Sequence, residues 1–112
     1  MASSHEDLHK LALDTAQAIR RESVALRVAA EAIRRSAEVF RTSAKALRRE
    51  ADATPNPDEA VTRRHQAELK DQHAKALDDH AFTLNAEADS AEIKAQLAEA
   101  RAAIARAGTG QE

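Results

Sequence analysis

A seven-residue repeat on both sides of one proline-marked break constrains this chain more than any other feature. Residues 19–53 divide into IRRESVA, LRVAAEA, IRRSAEV, FRTSAKA and LRREADA. Residues 60–108 divide into AVTRRHQ, AELKDQH, AKALDDH, AFTLNAE, ADSAEIK, AQLAEAR and AAIARAG. A helix shows this period when it buries one stripe against another helix. The segment between the repeats, Thr54-Pro55-Asn56-Pro57-Asp58-Glu59, is the clearest punctuation in the sequence. Pro55 excludes the helical conformation before it. Asn56 is placed to cap a second helix, with Pro57 at its first position and Glu59 at its third.

The reading that follows is an all-α fold, a long antiparallel helical hairpin in a single domain over residues 1–112. It has a helix at 4–53, a turn at 54–56 and a helix at 57–107. Ser3 and Ser4, with Glu6 and Asp7 behind them, resemble a capping box for the first helix, and Gly108 is placed to close the second. Asp89-Ser90-Ala91-Glu92 repeats the capping-box pattern, which marks residue 89 as a place where the second helix could break. With no Gly or Pro nearby, the continuous helix is preferred. A hairpin turning at Asn56 pairs residue i with roughly residue 111 minus i. Ala18 then stands opposite Ile93, where the large apolar stripe changes phase on both helices.

Composition says how such helices must pack. Alanine numbers 28, whereas Leu, Ile, Val and Phe together number 19. Large apolar residues are therefore scarce for a globular core, while strong helix formers abound. In the first repeat a large residue recurs at Ile19, Leu26, Ile33, Phe40 and Leu47. Four residues after each comes a small one: Ser23, Ala30, Ala37, Ala44 and Ala51. A further row, Ala18, Ala25, Ala32, Ala46 and Ala53, is interrupted by Val39. In the second repeat alanine recurs at 60, 67, 74, 81, 88, 95 and 102. The packing seam is assigned to Ile19, Leu26, Ile33, Phe40 and Leu47 with Ala74, Leu77, Ala81 and Leu84, and Phe40, the bulkiest of them, is expected to be buried. Small residues let two backbones approach, and large ones from the partner fill the gap.

One hairpin buries one stripe per helix, which hardly outweighs a chain entropy of roughly 1–2 kcal/mol per residue. Val24, Val28 and Val39 on the first helix, and Leu69, Phe82 and Ile93 on the second, lie off that stripe. The expected assembly is a homodimer forming an antiparallel four-helix bundle. Charge suits a hairpin: nine Arg and Lys against five Asp and Glu in residues 19–53, then seven against ten in residues 57–107.

Chemistry-bearing motifs are few. His5 and His9 stand at i and i+4 and formally satisfy HExxH spacing, but with no third ligand in view they read as surface residues. His73 and His80 share a heptad position about 10.5 Å apart along the axis, too far to share one ion. The row Arg20, Arg27, Arg34, Arg41 and Arg48 lacks the aromatic readers of a nucleic-acid surface. It reads as a flank pairing with acidic residues such as Asp71, Asp78 and Asp79. No repeated Glu-x-x-His pair, phosphate loop or nucleophile elbow is present.

Cysteine is absent, no apolar run approaches a membrane span, and the start MASSHEDLHK carries no signal-peptide pattern. The expected protein is non-enzymatic, without cofactor or metal, soluble and cytoplasmic, and contacts neither nucleic acid nor membrane. It acts as a helical interaction or scaffold protein through homodimerisation and an unidentified protein partner. The alternatives are a regulatory or sensory four-helix bundle binding a ligand or metal near His73 and His80, and an exported helical-hairpin partner protein.

Overall fold

The structure, a computed structural model, describes residues 2–110, and the side-chain surroundings of residue 4 and residues 6–108. Two α-helices account for nearly all of it: α1 over Ala2–Ala53 and α2 over Pro57–Gly110. They pack as an antiparallel hairpin. α1 starts ahead of Ser4, so Ser4 lies inside the helix and does not cap it; the side chains of Ser3 and His5 lie outside the described residues. α2 runs through residue 89 without a break and through Gly108 without a left-handed residue, so Gly108 is an ordinary helical position and not a cap.

The turn forms as its sequence dictates. Asn56 Oδ1 accepts the backbone N–H groups of Asp58 (3.0 Å) and Glu59 (3.3 Å), satisfying two of the donors left open at a helix start. The last turn of α1 is closed by Thr54 N–H donating to the Glu50 carbonyl at 3.1 Å.

Two compact units divide the hairpin. In the second unit, Ala29–Leu84, the chain turns back on itself. Its buried residues are Ala30, Ala37, Ala44 and Ala51 on α1 and Ala60, Ala67, Ala74 and Ala81 on α2. The first unit is made of the two chain ends, Met1–Val28 and Asn85–Glu112. Its buried residues are Ala16 and Ser23 on α1 and Ala88, Ala91, Ala95, Ala98 and Ala102 on α2.

Among the described residues every buried apolar residue is an alanine. Ile19, Leu26, Ile33, Phe40 and Leu47 are half-buried, as are Leu77 and Leu84, whereas Ala74 and Ala81 are buried. Phe40 therefore departs from the expectation of a buried ring. Facing rows of methyl groups bring the helices toward the short end of the about 8–10 Å packing range, where a phenyl ring has no room between the backbones. The large side chains lie along the seam's edges and shield it.

The further row of Ala18, Ala25, Ala32, Val39, Ala46 and Ala53 is exposed. So are Val24, Val28, Leu69, Phe82 and Ile93. The buried heptad positions keep one phase from Ala16 to Ala51 and from Ala60 to Ala102. The phase change seen among the large residues near Ala18 and Ile93 is therefore not a change of seam, since both residues face outward.

Candidate functional site

Two hydrogen bonds in the first unit fix the register. Ser23 Oγ donates to the Ala88 carbonyl at 3.2 Å, and His9 Nδ1 lies 3.0 Å from the Ala102 carbonyl. The residue numbers in each pair add to 111, the register set by a turn at Asn56. A serine hydroxyl sits close to its own backbone, so its reach to the opposite main chain reports how near the helices come. Ser23 is the one buried polar side chain among the described residues, and this bond satisfies it.

Arginines border the seam on the side away from the large residues. Arg20 bridges Glu92 and Glu99, with Nε to Glu99 at 2.8 Å, and Arg27 pairs with Asp89 at 2.8 Å. In the second unit Arg41 pairs with Asp78, and Arg48 with Asp71. Four members of the arginine row are thus held by carboxylates of the same chain. Asp79, one turn position on from Asp78, is exposed. The hydrogen bond to Glu99, followed by the charges of both glutamates, raises the Arg20 pKa above its ordinary value. These pairs are solvent-accessible, so each adds little to stability. Their larger effect is on register, because a shift by one residue would break all of them.

A second cluster lies at the turn. Arg63 donates to Glu50 and, at 2.5 Å, to Glu59, while Thr54 Oγ1 donates to Glu59 at 3.4 Å. The hydrogen bond from Arg63, then its charge, holds the Glu59 carboxyl below the usual glutamate range. Both terminal nitrogens of Arg63 are used, and its Nε is buried without a partner.

Phe40 stacks on His73, ring centroids 4.2 Å apart and planes 14° from parallel, with Lys70 Nζ 5.4 Å from the Phe40 centroid. The sequence pattern missed this contact, although the 111 register sets Phe40 opposite Asp71, two residues from His73. The stack occupies a face of His73, and both His73 and His80 are exposed. Among the described residues no three His, Cys, Asp or Glu side chains come together as a metal group. No described helix is long and apolar enough to cross a membrane.

Concavities are shallow. One in the first unit, about 270 Å³, is lined by Ile19, Glu22, Leu26, Glu87, Ser90, Ala91 and Lys94. One on the outer face of α1 in the second unit is lined by Arg35, Glu38, Val39, Thr42, Ser43 and Ala46. Neither gathers the convergent polar groups of a small-molecule site. The surface features that remain are the outward-facing apolar side chains. No protein family, curated protein or solved structure matches this chain.

Proposed function

We propose that this chain is a non-enzymatic, cytoplasmic interaction protein, a helical scaffold that works as a homodimer of hairpins bringing four helices together. One observation carries the reading: alanine fills the seam, and most large apolar side chains off the seam point to solvent. A stable interface buries on the order of 1,600 Å² in total, and a second hairpin is a cover that the heptad pattern itself supplies.

Sedimentation velocity with native mass measurement tests this. A dimer is expected, with a melting temperature that rises with protein concentration. A monomer with concentration-independent melting would sink the proposal. The regulatory-bundle alternative makes a different prediction: a saturable zinc, nickel or haem site in titration calorimetry, lost in the double variant His73→Ala, His80→Ala.

A further inference from the structure

The outer face of α2 in the first unit carries Ser90, Ile93, Leu97, Ala100, Ile104 and Ala107. Their spacing alternates between three and four residues, the spacing of a coiled-coil seam. At about 100° per residue, Ile93, Leu97, Ala100 and Ile104 lie roughly 140–200° around the helix from Ala95. Ala95 is buried in the hairpin seam, so α1 cannot reach the far stripe. Ile93 is 59% exposed, Leu97 55% and Ile104 71%.

We propose that a second copy of this chain docks on that stripe, α2 against α2, parallel and in register. The proposal rests on the homodimer reading above and names its face. Charge selects the occupant and its direction. In a parallel pair, flanking residues five apart meet across the contact. Asp89 of one copy then meets Lys94 of the other, twice by symmetry, and Gln96 meets Arg101.

Within the chain, Lys94 and Arg101 form no ion pair with any described residue. Asp89 holds Arg27 through Oδ1, which leaves Oδ2 for the mate's Lys94. An antiparallel pair centred between Leu97 and Ala100 would instead set Lys94 against Arg101, like against like. The parallel contact is isologous and closes at two copies. Ala100 and Ala107 let the helices approach between the layers of Ile93, Leu97 and Ile104. In this unit the two α2 helices form the shared contact with each α1 on the outside, a row of four helices in place of the antiparallel bundle expected from the sequence.

The chain has no cysteine, so single cysteine variants report the contact directly. Under mild oxidation Leu97→Cys is expected to cross-link to itself, because in-register positions come within disulfide reach. Leu97→Asp is expected to raise the dimer dissociation constant about 100-fold or more. Its helicity should be unchanged, since Leu97 lies outside the hairpin seam, and Val39→Asp in the second unit should leave the dimer intact.

A monomeric wild-type protein overturns the homodimer reading and this inference with it. A dimer that survives Leu97→Asp overturns the face alone. Cross-linking that needs a mixture of Leu97→Cys and Ala100→Cys overturns the parallel register. Species larger than a dimer overturn the closed contact and point to Leu8 and Leu11 of α1, flanked by Asp7 and Asp14, as the mate of this stripe.

Discussion

In the unit from Ala29 to Leu84 five of the nine large apolar side chains stay beside the seam, whereas in the unit built from the chain ends α2 turns all of its own outward. The heptad position next to the buried alanine row of α2 shows the change. It holds Leu77 and Leu84, both half-buried, in the second unit, and Ala91 and Ala98, both buried, in the first. The bulk lost from that edge reappears on the far face as Ile93, Leu97 and Ile104. Among the described residues the first unit exposes eight large apolar side chains and the second four. The same backbone repeat thus serves two purposes. One unit shields its own seam, and the other keeps a narrow seam and offers a second stripe.

The largest expected effect tests whether both units share the close alanine seam. Ala81→Leu in the second unit and Ala95→Leu in the first should each destabilise by about 1–3 kcal/mol, because three added heavy atoms must force the helices apart. Ala95→Leu should be the worse of the two, since α2 presents alanine at both seam positions there. Thermal melting at fixed protein concentration measures both. A rise in melting temperature for either variant breaks the seam as described.

Next comes the edge. A fully buried phenylalanine would cost about 3–5 kcal/mol on truncation to alanine. Phe40 is half-buried and stacked on His73, so Phe40→Ala should cost nearer 1–2 kcal/mol. Ile104→Ala in the first unit should cost the hairpin almost nothing and should weaken the dimer instead. Denaturant unfolding at low and high protein concentration separates the two effects.

A smaller, pH-dependent effect belongs to the turn. The Glu59 carboxyl is held below its unfolded value by Arg63. Its contribution is therefore present above the ordinary glutamate range and is lost as pH falls through the lowered folded value. Glu59→Gln should melt earlier than wild type at neutral pH, and the gap should close in acid. Equal gaps at both pH values would remove Glu59 from the account. The raised pKa of Arg20 in the first unit has no counterpart in this test, because its stabilisation is lost only above the arginine range, beyond working pH.

The smallest effect is at the end of α2. A Cβ added at Gly108 would meet nothing within 4 Å, and the residue is helical. Gly108→Ala should stabilise by about 0.5 kcal/mol, seen as a slightly higher melting temperature.

Much of this was legible in the sequence. Pro55, Asn56 and Pro57 dictate one turn, and the turn dictates the register that Ser23 and His9 later obey. The alanine row from residue 60 to residue 102 marks the buried face of α2, and Ser23 with Ala30, Ala37, Ala44 and Ala51 marks that of α1. The arginine row and its carboxylate partners follow from the same period. Two misreadings have one cause. Placing Phe40 inside the seam, and reading a shift of the large residues as a shift of the seam, both assume that large apolar residues occupy the core. Sequence period reports that a stripe exists; it does not report which of two stripes a helix buries.

The sequence by itself determined two helices, their antiparallel pairing and their register, because proline geometry, capping chemistry and heptad spacing are local properties of the chain. Only the tertiary structure decided that, among the described residues, alanines and Ser23 alone are buried, that Phe40 lies against His73, and that Ile93, Leu97 and Ile104 face away from α1. Those outcomes depend on the distance between the helices. Facing methyl groups draw the backbones together until only alanine and serine fit between them, and every larger side chain must go to the edge of the seam or to the far side of its helix.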